Sequence, residues 1–210
     1  MELAKLIASP VNAKKLPEGF YQRSDVVQIA RELLGKVLVS QTEGKKTAGI
    51  IVETEAYSGH NDRASHAYGN RNTKRTSVMY KDGGLAYVYL IYGMYSLLNV
   101  VTNRAGIPDA VLIRAIEPVD GMEYMLARRK QSKVAPGLTN GPGKLTIALG
   151  ITLEHYGVSL SGDLLWIENR GFVLPEDSIA VGTRIGVEYA AEDAARPWRF
   201  WVEDNPFVSK

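Results

Sequence analysis

Residues 50–57, Ile-Ile-Val-Glu-Thr-Glu-Ala-Tyr, combine the apolar character of a buried β-strand with two carboxylates. Because strand side chains alternate, Glu53, Glu55 and Tyr57 share one face. Desolvating a carboxylate costs several kcal/mol unless the charge is paired or used, so each acid on this strand requires a reason. A structural ion pair with an arginine is the interpretation we favour for Glu53. For Glu55, such an ion pair and a role in activating water at the wall of a cleft agree equally well with the sequence.

The composition is that of an ordinary globular protein, since 45% of the 210 residues are hydrophobic and 23% are charged. This length suits one domain with a full core, so we predict a single domain over residues 1–210. The absence of cysteine excludes disulfides, thiolate zinc sites and cysteine nucleophiles. Residues 1–20 contain scattered charges and no long apolar run, which argues against a secretory signal or a membrane span. We therefore expect a soluble, cytoplasmic protein.

The net charge of +2 is too small to indicate a polyanionic partner, but the charge is unevenly distributed. Basic residues cluster at 63–75 and 128–144, whereas residues 154–204 are rich in Asp and Glu. A run of charge is usually a solvated face, so these clusters alone are weak grounds for predicting phosphate binding.

Hydrophobic periodicity predicts an α+β domain built around an antiparallel sheet. A helix capped by Ser24 precedes a hairpin of strands 36–41 and 47–57, and residues 85–103 form a second hairpin. Further strands are predicted at 110–117, 164–168, 183–189 and 197–202, and helices at 121–130 and 145–149.

The segment between the two hairpins, residues 58–76, has no apolar pattern and is rich in Gly, Asn, Ser, Arg and Lys. Loops of this length in a compact domain are usually functional or disordered, and basic residues favour a functional loop if the ligand is a polyanion. His66 lies within this loop, although a lone loop histidine is more often a surface residue than a catalytic one.

The turn of the second hairpin, residues 92–95, reads Tyr-Gly-Met-Tyr where Asn, Asp and Gly are usual. Such a tip either packs beneath another loop or wedges between stacked bases, and packing is the commoner arrangement. Tyr87 and Tyr89 share a face of this hairpin and would be core aromatic residues in most sheets.

Two further segments contain candidate ionic groups. Arg114 lies in the apolar strand 110–117, where a guanidinium group requires a carboxylate or phosphate partner, and Glu53 or Glu55 would serve. Residues 140–144, Asn-Gly-Pro-Gly-Lys, are typical of a helix start whose free N–H groups can approach an anion, with the lysine beside them. The same residues also suit an ordinary loop-to-helix turn.

Several motifs, each ambiguous alone, are distributed over most of the chain. In order, they are 52–57 (Val-Glu-Thr-Glu-Ala-Tyr), 64–66 (Ala-Ser-His), 85–95 (Leu-Ala-Tyr-Val-Tyr-Leu-Ile-Tyr-Gly-Met-Tyr), Asn99, 112–118 (Leu-Ile-Arg-Ala-Ile-Glu-Pro), 141–145 (Gly-Pro-Gly-Lys-Leu) and 184–187 (Arg-Ile-Gly-Val). Together they resemble the alkyladenine (3-methyladenine, or methylpurine) DNA glycosylase family of the human type. The resemblance implies a curved, open and barrel-like antiparallel sheet with surrounding helices and a protruding β-hairpin.

The resemblance also implies a monofunctional enzyme of base excision repair, which flips an alkylated purine out of duplex DNA and hydrolyses its N-glycosidic bond. It implies that Glu55 is the general base, and that Arg114 and the backbone carbonyl of Ile185 place the attacking water. The implied base pocket consists of Tyr57, His66, Tyr89 and Asn99, the last where the exocyclic amino group of guanine would clash. The implied DNA contacts are Tyr92 as the wedge, with Met94, Tyr95, Arg71, Thr73, Gly141 and Lys144.

General chemistry agrees with this assignment. A purine such as 3-methyladenine is cationic, so aromatic walls would bind it by stacking and cation–π attraction, on the order of 1–2 kcal/mol per contact. Because its glycosidic bond is already weak, the enzyme chiefly needs a carboxylate near C1′ that stabilises the oxocarbenium-like sugar and deprotonates water. Flipping costs a few kcal/mol, and least at damaged pairs. No lysine lies in a comparable apolar setting, so nothing suggests a Schiff-base lyase.

The predicted substrates are 3-methyladenine and 7-methylguanine in double-stranded DNA. Neutral lesions such as hypoxanthine and ethenoadenine are further candidates, which depend on fine hydrogen bonding in the pocket. We predict no cofactor, no metal site, no membrane contact and no obligate protein partner, and therefore a monomer that acts at the nucleoid of the cytoplasm.

Two rival classes remain open at the level of sequence. The domain could be a catalytically silent nucleic-acid-binding module of the same fold, because the basic loop, hairpin tip and helix start would serve binding alone. Alternatively, Glu53 and Glu55 could be the acid and base of an inverting carbohydrate hydrolase, since alternation places them roughly 6.5–7 Å apart along a strand. A sugar-binding cleft would not explain the tyrosine-tipped hairpin or the basic loops.

Overall fold

A computed structural model describes residues 13–209 of the chain. Nine strands are present in this range: β1 (Lys14–Lys15), β2 (Val37–Thr42), β3 (Lys45–Tyr57), β4 (Ala86–Ile91), β5 (Tyr95–Thr102), β6 (Asp109–Asp120), β7 (Leu165–Asn169), β8 (Ile179–Gly182) and β9 (Arg199–Val202). The α-helices in the same range are α1 (Glu18–Tyr21), α2 (Val26–Glu32), α3 (Met122–Arg129) and α4 (Pro142–Leu149). Short 3₁₀ turns lie at Gly59–Asn61, Tyr68–Asn70, Ser77–Tyr80, Pro136–Leu138, Leu153–His155, Glu176–Ser178 and Glu188–Ala195.

All the strands pair antiparallel in one sheet, in the order β1-β7-β2-β3-β6-β5-β4. Strand β9 pairs with β3 and also with β8. Strand β3 has β2 as its neighbour up to Ile50 and β9 as its neighbour from Glu53 to Glu55. Irregularities in its register against β6 flank Glu53, and bulges of this kind bend a strand. The sheet therefore curls into an open half-barrel, which confirms the predicted α+β fold.

The main core lies between the curled sheet and the helices. Helix α2 contributes Ile29 and Ala30, and α4 contributes Leu145 and Leu149, all fully buried. These apolar faces pack against strands that are themselves buried along most of their length, such as β6. Thr54 of β3 faces these helices, since its hydroxyl donates to the Ala30 carbonyl at 2.8 Å, so its neighbours Glu53 and Glu55 face the other side of the sheet.

The start of α2 differs from the prediction. Its N-cap is Asp25 and not Ser24, because the Asp25 carboxylate accepts a hydrogen bond of 2.9 Å from the Gln28 amide. Both residue types satisfy the free amides of a first helical turn, so the local sequence could not distinguish adjacent candidates.

The predicted strand at 183–189 is wrong. Strand β8 ends at Gly182, and the following residues form a loop in which Gly186 has a left-handed φ of +74°. The Arg184 side chain is fully buried in an ion pair with Asp62. Within this segment Arg184 is buried between exposed neighbours because its side chain turns inward to Asp62, and not because the segment is a strand.

The hairpin of β4 and β5 protrudes, as predicted, and its tip is exposed. The exposed fraction is 83% for Tyr92 and 70% for Met94, so the tip is not packed beneath another loop. Tyr92 has a φ of +52°, a backbone conformation that is unfavourable for residues other than glycine. An exposed tyrosine in this conformation has no explanation in the packing of the domain.

No helix within residues 13–209 is both long enough and apolar enough to cross a lipid bilayer.

Candidate active site

The two carboxylates of β3 lie on either side of one guanidinium group. The Nε atom of Arg114 donates to Glu53 Oε1 at 2.9 Å, and its Nη1 atom lies 3.3 Å from Glu55 Oε1. Both glutamates are fully buried and Arg114 is nearly so. The structure therefore pairs Glu53 with an arginine, as the ion-pair interpretation predicts, and the same arginine also contacts Glu55.

Each oxygen of Glu55 accepts a hydrogen bond. The backbone N–H of Ile185 donates to Oε1 at 2.8 Å, and the hydroxyl of Tyr57 donates to Oε2 at 2.8 Å. Burial raises the pKa of Tyr57 well above its ordinary value, and the adjacent Glu55 carboxylate raises this pKa further. The Tyr57 hydroxyl therefore keeps its proton, and it covers the carboxylate as a hydrogen-bond donor.

A cavity of about 420 Å³ lies directly above this ionic cluster. Pockets of this size bind small organic groups, and polar groups in their walls determine which group fits. Arg114, Ile185 and Asn99 line the cavity, and Asn99 donates to the Tyr87 carbonyl at 3.4 Å. Six further residues of the wall carry aromatic rings: Tyr57, His66, Tyr87, Tyr89, Tyr92 and Tyr189. The cavity is therefore an aromatic chamber whose base is an arginine bonded to two carboxylates.

His66 is held edge-on within this chamber. Its ring centroid is 4.7 Å from that of Tyr89, and its Nδ1 atom lies 2.8 Å from the Tyr87 hydroxyl. The Nε2 atom is 3.4 Å from an Arg75 nitrogen, which can only donate, so Nε2 accepts and Nδ1–H donates to Tyr87. Burial, with the nearby guanidinium groups of Arg75 and Arg71, lowers the pKa of His66 to about 4. His66 is therefore a neutral wall residue at neutral pH.

We expect the imidazole of His66 to titrate near pH 4 in the folded protein, measured by NMR with the signal assigned through its loss in His66→Gln. The unfolded chain takes up this proton near pH 6.5, so the His66 contribution to stability is full above pH 6.5 and is lost as the pH falls toward about 4. The urea midpoint of His66→Gln should consequently depend less on pH between these values. Titration of His66 above pH 6 in the folded protein would contradict this environment.

Arg75 is a cation of the chamber that the sequence did not single out. Its guanidinium carbon lies 4.6 Å from the centroid of Tyr89, in a cation–π contact, beside the ring of His66. Tyr87 was likewise expected to be an ordinary core residue, yet its hydroxyl orients His66. The sequence predicted the loop that contains Arg75 and the strand that contains Tyr87. It did not predict their contacts with Tyr89 and His66, because these contacts join separate segments of the chain.

A buried ion pair anchors the loop that carries Ile185. Arg184 is paired with Asp62 and also donates to the carbonyls of Ala56, at 2.9 Å, and Asp193, at 3.0 Å. Both charged side chains are fully enclosed. Because Arg184 immediately precedes Ile185, this pair fixes the amide that donates to Glu55. Asp62 belongs to the long basic loop, and the sequence contains no local signal for the pairing.

Most of the residues predicted to contact DNA are exposed, whereas Gly141 is buried. Tyr92 is at its rim, and Tyr95 packs over Gly143 in the first turn of α4. Lys144 donates to the Asn140 side chain at 2.8 Å, next to Gly141. Arg71 and Thr73 lie with His66 and Arg75 around a shallow neighbouring depression. The structure thus places Tyr92 at the chamber and Arg71 and Thr73 at the neighbouring depression, while their contact with DNA stays a prediction.

Met94 faces a different cavity. This space of about 620 Å³ lies between the β2–β3 turn, the hairpin and α4, and within residues 13–209 its lining includes no tyrosine, tryptophan or phenylalanine. Its one arginine, Arg128, donates to the Thr42 hydroxyl and to the carbonyl of Ala148, which are neutral acceptors. Although it is larger than the aromatic chamber, its lining among the described residues does not include Arg114, which pairs with the two carboxylates of β3.

Comparison with known sequences identifies the family. Residues 19–206 match the sequence profile of the methylpurine-DNA glycosylases. The chain belongs to this family. A protein of Bacillus thuringiensis (strain Al Hakam) is 51% identical over 206 residues, which cover 92% of this chain and 98% of that protein. Proteins of Bacillus cereus (strain ZK / E33L) and Bacillus anthracis (strain CDC 684 / NRRL 3495) are each 50% identical over 206 residues with the same coverage.

All three relatives are named provisionally as 3-methyladenine DNA glycosylases. The family predicted from the motifs of the sequence is thereby confirmed, and the chain is a methylpurine-DNA glycosylase family member over nearly its whole described length. Both the carboxylate strand and the tyrosine-tipped hairpin lie inside the matched range.

Proposed function

We propose that this protein is a monofunctional base-excision-repair glycosylase, which flips alkylated purines out of double-stranded DNA and releases them by hydrolysis. The observation that carries the proposal is the chamber itself, in which a carboxylate and a guanidinium group lie beneath aromatic walls and beside an exposed tyrosine-tipped hairpin. Membership of the methylpurine-DNA glycosylase family supports the same activity. The substrates we propose are 3-methyladenine and 7-methylguanine.

The chamber would select the base by stacking. Tyr57, His66 and Tyr89 present the faces and edges of aromatic rings to a planar ligand, and a cationic purine gains both stacking and cation–π attraction from them. Neutral His66 adds no repulsion against such a base. Asn99 lies in the wall, held by the Tyr87 carbonyl, where it would exclude the amino group of normal guanine. Neutral lesions such as hypoxanthine would depend on hydrogen bonds from these same walls.

Hydrolysis requires one water molecule and one base. The water oxygen forms the new bond to C1′, the C1′–N bond breaks with its electron pair retained by the purine, and the water proton passes to Glu55. The Glu55 carboxylate also stabilises the positive charge that develops on the sugar. We assign the placement of the water to Arg114, which reaches both the cavity and Glu55, and to the backbone carbonyl of Ile185.

Glu55 has no exposed surface in the structure, because Tyr57, Arg114 and Ile185 cover it. Water must therefore reach the carboxylate when a base is bound. Tyr57 is only half-buried and forms part of the chamber wall, so a base that stacks on its ring would displace the hydroxyl that covers Glu55. This arrangement couples occupation of the chamber to exposure of the general base.

The proposal also covers the type of reaction, the oligomeric state and the contacts to the DNA backbone. Among the described residues, the chamber lining includes no lysine, which fits hydrolysis and not a Schiff-base lyase. One chamber serves one lesion, so we propose a monomer that needs no cofactor or protein partner and acts at the nucleoid. Arg71, Thr73, Gly141 and Lys144 are the proposed contacts to the DNA backbone.

We expect Tyr92 to fill the gap left by the flipped nucleotide. Substituting Tyr92→Gly removes a ring that could stack on a base, so affinity for lesion-containing duplex should fall by about 10- to 100-fold, corresponding to about 1–3 kcal/mol. Stability should not fall, because the ring is 83% exposed and glycine accepts the positive φ. Fluorescence anisotropy and urea unfolding measure the two quantities.

The matched control for this experiment is Tyr92→Phe, which keeps the ring and should bind like the wild type. If Tyr92→Gly bound lesion DNA as tightly as Tyr92→Phe, the proposed wedge would be wrong.

The function itself is tested by base release. Duplex DNA containing 3-methyladenine or 7-methylguanine is incubated with the wild-type protein, and free base and abasic sites are counted. Equal amounts of both products are expected. Lesion DNA that is bound but never cleaved would indicate a silent binding module. The carbohydrate hydrolase is disfavoured because Glu53 is enclosed by protein donors and cannot reach a substrate.

A further inference from the structure

The carboxylate of Glu53 accepts more hydrogen bonds than an ion pair requires. Its Oε1 atom accepts from Arg114 at 2.9 Å, from Arg199 at 2.7 Å and from the Ser209 hydroxyl at 2.8 Å. Its Oε2 atom accepts from the Ser209 backbone N–H at 2.7 Å. The Glu53 carboxylate is thus paired with two guanidinium groups. Its other hydrogen bonds come from Ser209, a residue from a distant part of the chain.

Ser209 reaches this cluster through an anchored segment that follows β9. Asn205 donates to Glu117 on β6 at 2.6 Å, and its backbone carbonyl accepts from Val208. Phe207 and Val208 pack against buried apolar residues of β2, β3 and β9, among them Val39, Val52 and Val202. The Asn205 hydrogen bond and the packing of Phe207 and Val208 therefore hold this segment against the sheet and place Ser209 next to Glu53.

The Ser209 hydroxyl also contacts Arg114. While it donates to Glu53, it accepts from Nη2 of Arg114 at 3.3 Å. Arg114 is consequently held through two of its nitrogen atoms, Nε by Glu53 and Nη2 by Ser209, and its third nitrogen, Nη1, is the one that faces Glu55 at 3.3 Å. A planar guanidinium group fixed at two corners has its third corner fixed as well.

We propose that Glu53 and Ser209 are positioning residues, which hold the Arg114 guanidinium so that Nη1 is directed at the carboxylate of Glu55. The inference rests on the proposed function, in which Glu55 activates water. Glu53 and Ser209 have almost no exposed surface, so they act on the reaction through Arg114, which lines the chamber. The segment after β9 thereby takes part in the geometry of the active site.

Arg114 gains freedom to move when this support is lost. Loss of the Ser209 hydroxyl removes the acceptor that holds Nη2. The whole guanidinium group can then pivot about the hydrogen bond between its Nε atom and Glu53. Rotation changes the distance from Nη1 to Glu55 and therefore the place of the attacking water. The chamber walls, which bind the base, are not involved, so the rate of hydrolysis should change while lesion affinity is kept.

The test compares three substitutions of Ser209 in the full chain. Ser209→Ala removes the hydroxyl, Ser209→Pro removes both the hydroxyl and the backbone N–H, and Ser209→Thr keeps both donors. Single-turnover release of 3-methyladenine and the Kd for lesion duplex are measured for each, with the urea midpoint as a check on folding. Ser178→Ala is the matched control, because that hydroxyl donates to the Pro175 carbonyl and to none of the residues around Glu53 that the structure describes.

We expect Ser209→Ala to release base about tenfold more slowly, the loss associated with one hydrogen bond to a charged group, and Ser209→Pro to be slowed at least as much, with Kd unchanged in both. Ser209→Thr should recover the wild-type rate, and Ser178→Ala should keep it. A wild-type rate in both Ser209→Ala and Ser209→Pro overturns the proposal. So does a loss of rate that appears only together with a loss of affinity or folding.

A Glu53→Gln substitution provides a second, larger perturbation. It removes the anion that Arg114 and Arg199 share, so release should fall by more than in Ser209→Ala. Equal release in Glu53→Gln and wild type would also overturn the proposal. If the wild-type protein itself released no base, the proposed function would fail, whereas unchanged Ser209 variants of an active enzyme would refute only the positioning role.

Discussion

Glu55→Gln is expected to slow the release of 3-methyladenine from duplex DNA by about 100- to 10,000-fold, the range over which a positioned general base contributes to rate. The amide has nearly the same shape as the carboxylate and can still accept from the Ile185 N–H, but it cannot take a proton from water. Arg114 keeps Glu53 as its counterion, so the buried charge remains paired. Folding and lesion binding should therefore be retained.

Single-turnover kinetics with enzyme in excess measure this effect, because they separate hydrolysis from product release. The matched control is Glu188→Gln, which removes an exposed carboxylate from the neighbouring segment and should leave the rate unchanged. Full base release by Glu55→Gln would refute the assignment of Glu55 as the base. Loss of DNA binding by Glu55→Gln would contradict the expectation that this variant keeps its fold, and its slow release could then not be assigned to the loss of the base.

The second large effect is expected in stability. Asp62→Asn removes the charge that neutralises Arg184 where both side chains have no exposed surface. Breaking a buried pair from one side costs about 3–5 kcal/mol, because the remaining charge has no counterion. For a chain of this length, that loss corresponds to a decrease in Tm of about 6–20 °C. The carbonyls of Ala56 and Asp193 soften the effect but carry no charge.

Urea unfolding and calorimetry measure this loss. The matched control is Asp163→Asn, which breaks the Lys15 ion pair at a side chain that is 98% exposed and should not change the midpoint measurably. If Asp62→Asn were as stable as Asp163→Asn, Arg184 would be hydrated in solution. Because Arg184 precedes Ile185, base release by Asp62→Asn should also fall below that of the control at temperatures where both are folded.

Local pattern predicted much of this fold. Alternation placed Glu53 and Glu55 on one strand, and the hydrophobic runs located both hairpins and the strand of Arg114. These features depend on residues within a few positions of one another, so their physical cause is visible in the sequence. The same local rules failed at 183–189, where Gly186 and a distant ionic partner determine the backbone.

Within the candidate site, the residue types and their order were sufficient to predict the family, and that prediction is confirmed. The roles of the individual site residues stay predictions. The sequence did not indicate that Arg75 lies over Tyr89, or that Tyr87 orients His66. It also did not indicate that Tyr57 and Ile185 would cover Glu55 completely.

By itself, the sequence determined that a carboxylate strand, an aromatic hairpin and a basic loop would exist, because periodicity and turn chemistry act over a few residues. Only the tertiary structure decided which charges meet. Arg184 finds Asp62 across 122 positions of the chain, and Ser209 finds Glu53 across 156. Such contacts form when a curled sheet brings remote segments together and excludes water from them, so that every buried charge must have a partner.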